Sequence, residues 1–73
     1  MNEIVKMLRK LKLEYELKTC TGVYDSYIRI KYGIDPHDLA WIYFKDNKII
    51  LMHIKNDTYT NLDDFIKSLN GVN

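Results

Sequence analysis

Seventeen consecutive residues, Leu39 to Lys55 (LAWIYFKDNKIILMHIK), constrain the fold most, because they read as a β-hairpin that is apolar on both faces. Asp46-Asn47 is a turn pair set between two runs rich in β-branched and aromatic residues. Side chains alternate across a strand. Folded about that pair, one face carries Ala40, Ile42, Phe44, Ile49 and Leu51. The other carries Leu39, Trp41, Tyr43, Ile50, Met52 and Ile54. A three-residue loop would exchange the cross-strand partners and leave both faces apolar.

A chain of 73 residues has little else with which to cover two such faces. It is expected to form one domain over 1–73, near the lower size limit for a core without staples. With 47% hydrophobic and 29% charged residues, an ordered globular chain is expected. A net charge of +1 gives no global reason for polyanion binding. Cys20 is the sole cysteine, so no internal disulfide can form, which suits a reducing cytosol. The N-terminal MNEIVKMLRKLK is amphipathic and lacks the continuous apolar stretch of a secretory signal. No apolar run reaches the length of a membrane span. A cytoplasmic protein with no membrane partner is expected. The skew towards Ile, Lys, Asn, Asp and Tyr is that of an AT-rich coding genome, such as a low-GC bacterium or its phages.

Around the hairpin, residues 3–12 read as a helix capped by Asn2, with Ile4, Met7, Leu8 and Leu11 on one stripe. The period then changes to two. Leu13, Tyr15, Leu17 and Thr19 share a face opposite Glu14, Glu16 and Lys18, and 27–32 alternates likewise. A Gly22-Val23 loop pairs Leu17 with Ile28 and Tyr15 with Ile30, and also sets Glu16 opposite Arg29 and Glu14 opposite Lys31. Each charged pair adds only ~0.2–1 kcal/mol, so the agreement specifies register more than it stabilises. Asp35-Pro36 resembles a helix start of one short turn. Asn56 to Tyr59 reads as a polar connector. Thr60 is expected to cap a second helix, with Asp63 at the capping-box position, a stripe of Leu62, Phe65, Ile66 and Leu69, and Gly71 just past its end. The expected fold class is α+β, a small two-layer αββββα domain whose four-stranded, mostly antiparallel sheet is flanked by N- and C-terminal helices.

In the first two strands one face is polar and suits water; in the hairpin neither is. If both helices lie on one side, the hairpin exposes either Trp41, Tyr43 and Met52 or Ile42, Phe44 and Leu51. If the helices split between the faces, nothing apolar stays exposed. Contiguous apolar patches mark interfaces, and Trp, Tyr and Met are enriched in interface cores. Trp41, Tyr43 and Met52 are therefore the expected anchor for a protein partner or for a second copy in a homodimer, with Arg29 and Lys31 as a charged rim.

Residues 1–12 carry four cations against Glu3, a local charge of +3. Lys6, Arg9 and Lys10 are thus candidates for contact with nucleic acid, the alternative function. Tyrosines interleaved with Arg29 and Lys31 suggest a base-stacking platform, but strand propensity explains them equally and no RNA-recognition consensus is present. Cys20, His37 and His53 lack metal-ligand spacing, and His53 reads as an edge or interface residue. No glycine-rich phosphate loop or catalytic constellation is found, so no cofactor and no enzymatic activity are expected. The expected function is that of a small non-catalytic protein-interaction module. Its helix-then-meander layout is similar to that of some small anti-CRISPR and anti-defence proteins carried by phages. That likeness, which covers the arrangement of elements, implies an inhibitor of a host protein.

Overall fold

The computed structural model describes residues 2–71, with side chains from 3 to 69. The cap expected at Asn2 is a side chain outside those described. Helix α1 (Asn2–Lys10) is followed by strands β1 (Glu14–Thr19), β2 (Ser26–Lys31), β3 (Leu39–Lys45), β4 (Lys48–Ile54) and β5 (Asp57–Tyr59), then helix α2 (Leu62–Gly71). The strands form one antiparallel meander in the order β1-β2-β3-β4-β5. The small α+β architecture is as expected, with five strands instead of four. The segment read as a polar connector, Asn56 to Tyr59, contributes the fifth by pairing Asp57, Thr58 and Tyr59 with Ile54, His53 and Met52.

Each turn follows from local chemistry. Gly22 has φ +117°, and the register it sets pairs Glu14 with Lys31, Glu16 with Arg29 and Leu17 with Ile28, as the charge and apolar matching required. Asp46 and Asn47 both take positive φ, +52° and +67°, the conformation of the two-residue turn favoured by strand twist. Asp35 closes the β2–β3 connection as a hydrogen-bonded turn, not a helix. Its Oδ1 accepts the His37 N–H at 2.8 Å and its carbonyl accepts the Asp38 N–H at 2.9 Å. A β-carbon on Gly33 would meet the Asp38 carboxylate, so a larger residue here requires that side chain to shift. The second helix is capped one residue later than Thr60. The Asn61 side-chain oxygen accepts the N–H groups of Asp63 at 2.8 Å and Asp64 at 3.3 Å, in keeping with the stronger capping preference of Asn over Thr. The helix runs through Gly71 instead of ending before it.

The core fixes which sheet face is left open. Ile28, Ile30, Tyr32, Ala40, Ile42, Phe44, Met52 and Ile54 are buried from one face of the sheet. They form a single cluster with Ile4 and Leu8 of α1 and with Phe65 and Leu69 of α2. Both helices therefore lie on the same side, and the arrangement with one helix on each face is not adopted.

Candidate interaction surface

The face opposite the helices is built by alternation from the remaining strand residues. β1 supplies Glu14, Glu16 and Lys18, and β2 supplies Tyr27, Arg29 and Lys31. β3 adds Leu39, Trp41, Tyr43 and Lys45. What β4 adds depends on one irregularity. The turn pairs Lys45 with Lys48 and Phe44 with Ile49, but the register then shifts, and Tyr43 pairs with Leu51 instead of Ile50. Ile50 is the extra residue of a β-bulge and is 46% exposed.

Beyond the bulge every side chain of β4 changes face. Met52 and Ile54, expected beside Trp41, instead enter the core at 5% and 6% exposure, while Leu51 and His53 turn outward. Met52 is thus corrected from interface anchor to core residue. The physical reason is polarity. An unshifted register would aim the His53 imidazole into an apolar core and Met52 into water, and burying an unpartnered polar ring is costly.

His53 lands between two rings. It lies 4.8 Å from Trp41 at 20° and 5.7 Å from Tyr43 at 14°. At the Trp41 distance the rings cannot lie side by side in one plane, so they overlap in offset face-to-face contact. Tyr43 also meets Tyr24 at 4.6 Å and Tyr27 at 5.7 Å, both tilted. Five rings from β2, β3, β4 and the β1–β2 loop thus form one connected array, each of them partly exposed. His53 Nδ1 sits 3.3 Å from the Lys55 carbonyl. Because that oxygen can only accept, Nδ1 carries the proton and Nε2 is the ring's remaining polar atom. Burial raises the Tyr43 hydroxyl above the ordinary tyrosine value of 10.0, with the neighbouring Tyr24 and Tyr27 adding to the effect.

The sequence-expected residues divide accordingly. Trp41 and Tyr43 lie together in the ring array. Arg29 stands opposite Trp41 on β2, with its guanidinium bonded to the Glu16 carboxylate. Lys31 is exposed opposite Leu39, at the rim of a shallow depression that Arg29, Glu14 and Pro36 also line. On the other side of the molecule Lys6, Arg9 and Lys10 are exposed on α1, where Arg9 Nε donates to the Tyr15 hydroxyl at 3.1 Å. Residue order alone does not mark Tyr24, Tyr27 or Leu51 as site residues, and it places His53 only at an edge or interface. A bulge inside the unbroken run Ile49 to Met52 leaves no mark in composition or periodicity, and it alone brings His53 to Trp41. Cys20 is remote in role, its thiol donating to the Tyr24 carbonyl at 3.2 Å. No helix among the described residues is long and apolar enough to cross a membrane. No protein-family model, curated protein sequence or solved structure matches the chain.

Proposed function

We propose that the chain is a non-catalytic binding module that docks a partner protein through the open face of its sheet, with Trp41 and Tyr43 as anchors and Arg29 and Lys31 at the rim. One observation carries this reading. Both helices are committed to the same sheet face, so a connected array of five aromatic rings stays partly exposed on the other. Aromatic rings bring large contact area at low entropy and dominate interface energetics. Arg29, the cross-strand partner of Trp41, is ion-paired on its other side to Glu16, and a charged pair flanking the rings suits a rim. The small size and the helix-then-meander layout agree with an inhibitor that acts by covering a surface of a larger host protein. Contact with nucleic acid through Lys6, Arg9 and Lys10 has less support, since it offers one short helix whose Arg9 already donates to Tyr15.

Trp41→Ala and Tyr43→Ser separate interface from core. Each should keep the circular-dichroism spectrum and a cooperative melt while losing the protein captured by tagged wild type from a lysate of the encoding organism. Loss of the Trp41–His53 stacking should lower stability by only about 0.5–1.5 kcal/mol. Variants that unfold, or that capture the same protein at wild-type level, would rule the reading out.

A further inference from the structure

We infer that two copies of this chain pair edge to edge through β1, whether or not the open face docks a partner. The edge carries a row of unfilled backbone groups. β1 ends the sheet, and β2 is its one strand neighbour. Hydrogen bonds alternate in direction along an antiparallel strand. The Cys20 N–H donates to the Asp25 carbonyl, and the Tyr32 N–H, on the far side of β2, donates to the Asp38 carbonyl, both at 3.1 Å. In that phase Glu14, Glu16 and Lys18 bond to β2, whereas Tyr15, Leu17 and Thr19 aim their N–H and C=O groups off the edge. None of those outward groups has a partner among the described residues. Neither a proline nor a bulge closes the strand to pairing.

An apolar side chain is left uncovered on the same edge. Leu17 pairs with the fully buried Ile28 and so lies on the helix side of the sheet, yet it is 50% exposed. Tyr15, two positions earlier on that side, packs against the core. A strand laid beside β1 covers Leu17.

Charge selects the occupant. Facing residues of an antiparallel pair share a side of the sheet, so a twofold axis perpendicular to it sets one β1 residue against its own copy. Centring on Glu14, Glu16 or Lys18 sets that charge against itself. Centring on Tyr15 sets Glu14 against Glu16, and centring on Thr19 carries half of the pairing past the strand end. Leu17 remains. There Leu17 meets Leu17, each Tyr15 meets Thr19, and each Glu16 meets Lys18. Every outward N–H and C=O of Tyr15, Leu17 and Thr19 is then paired in both copies. Glu16 lies between Arg29 of its own chain and Lys18 of the second copy. Opposite charges facing across strands stabilise the pair, and like charges weaken it. A foreign strand meets the same charges unmatched, so this edge repels other strands and accepts itself. The axis leaves both ring arrays on one side of a continuous sheet.

The test is sedimentation of the full chain over a concentration series, with amide hydrogen exchange followed in parallel. Association should grow with concentration, and the Tyr15, Leu17 and Thr19 amides should exchange more slowly in the associated form. Lys18→Glu makes both facing charge pairs repulsive and should weaken association about tenfold. Glu16→Lys should weaken it likewise. Both side chains are about half exposed, so each variant should keep the wild-type circular-dichroism spectrum. An equimolar mixture of the two variants should associate again, because every facing pair in the mixed dimer joins opposite charges. A chain that sediments as a monomer at every concentration would overturn the inference. So would association that Lys18→Glu leaves unchanged, or a mixture that stays monomeric. Association that protects amides around Trp41 and Tyr43 while those of β1 exchange freely would overturn it in favour of contact through the ring array.

Discussion

Lys12 holds a backbone conformation that a lysine rarely adopts. Its φ is +59°, and it closes α1 with a paired set of bonds, Leu13 N–H to the Leu8 carbonyl at 3.0 Å and Lys12 N–H to the Arg9 carbonyl at 3.1 Å. That is the Schellman arrangement, in which this position is normally glycine. The left-handed conformation costs an L-residue roughly 1–2 kcal/mol, and glycine avoids this while losing about 0.5–1 kcal/mol of extra chain freedom on folding. Lys12→Gly is therefore expected to raise stability by up to ~1 kcal/mol, seen as a melting temperature higher by about 4–8 °C per kcal/mol. Two tyrosines report on burial at the same scale. Tyr43 is raised above 10.0 by burial, then by Tyr24 and Tyr27. Tyr32 is raised by burial, against which the nearby Lys55 ammonium acts in the opposite sense. A hydroxyl whose folded value lies above its unfolded one favours the fold in full below pH 10.0. The contribution is lost as pH rises through the higher folded value. Ultraviolet titration of the six tyrosines should show Tyr32 and Tyr43 ionising last, Tyr43→Phe should remove one late step, and denaturant stability should fall only above about pH 10.

The bulge in β4 is the element on which the open face depends. Without the shift at Ile50 the strand would pair in unbroken register from Lys48 onward, which would aim Met52 and Ile54 outward and Leu51 and His53 towards the helices. Leu51 would take the place of Met52 in the core, but the polar His53 ring would take that of Ile54, whose burial contributes about 1.5–3 kcal/mol. That loss, with about 1–3 kcal/mol for burying an unpartnered polar ring, is a large share of the 5–15 kcal/mol available to a small domain. Deletion of Ile50, itself among the exposed large hydrophobics, removes only the extra residue and keeps Leu51 opposite Tyr43 and Met52 opposite Ile42, so the variant is expected to stay folded by circular dichroism. A deletion variant that unfolds would show that the bulge itself, and not the pairing on either side of it, holds the two faces. At the two sheet edges the protection differs. β1 carries Glu14, Glu16 and Lys18 along its length, the kind of charge that discourages strand addition. β5 caps only the second half of β4, from Met52 to Ile54.

For the molecule as a whole, the position of the helices turns a two-sided hairpin into a one-sided surface. Trp41 and Phe44 show the difference. Phe44 is 1% exposed in the core, so truncation there should cost about 3–5 kcal/mol. Trp41, three residues earlier on the same strand, faces away from the helices and is partly exposed, so its truncation should cost less than that of Phe44, the stacking together with its covered surface. The same partition explains why no charged or polar residue is buried among the described residues, since every charged side chain on the strands falls on the open face or at the ends. The open face can therefore vary in chemistry without disturbing the core.

Much of this was legible in residue order. Helix stripes, the β1–β2 register and the turn at Asp46-Asn47 follow from periodicity, charge matching and turn chemistry, because each is set by neighbours a few positions apart. The placement of Trp41 and Tyr43 on one face follows from simple alternation. The cap at Asn61 in place of Thr60, and the fifth strand at Asp57–Tyr59, turn on one- to three-residue choices that local preference leaves nearly balanced. Tertiary structure alone decided that both helices share one face, that the β4 register shifts at Ile50, and that His53 replaces Met52 beside Trp41. The physical reason is that an apolar run carries no directional information. Ile, Leu and Met gain almost the same free energy from burial, so the face each one takes is settled only when the helices offer a core on one side and water remains on the other.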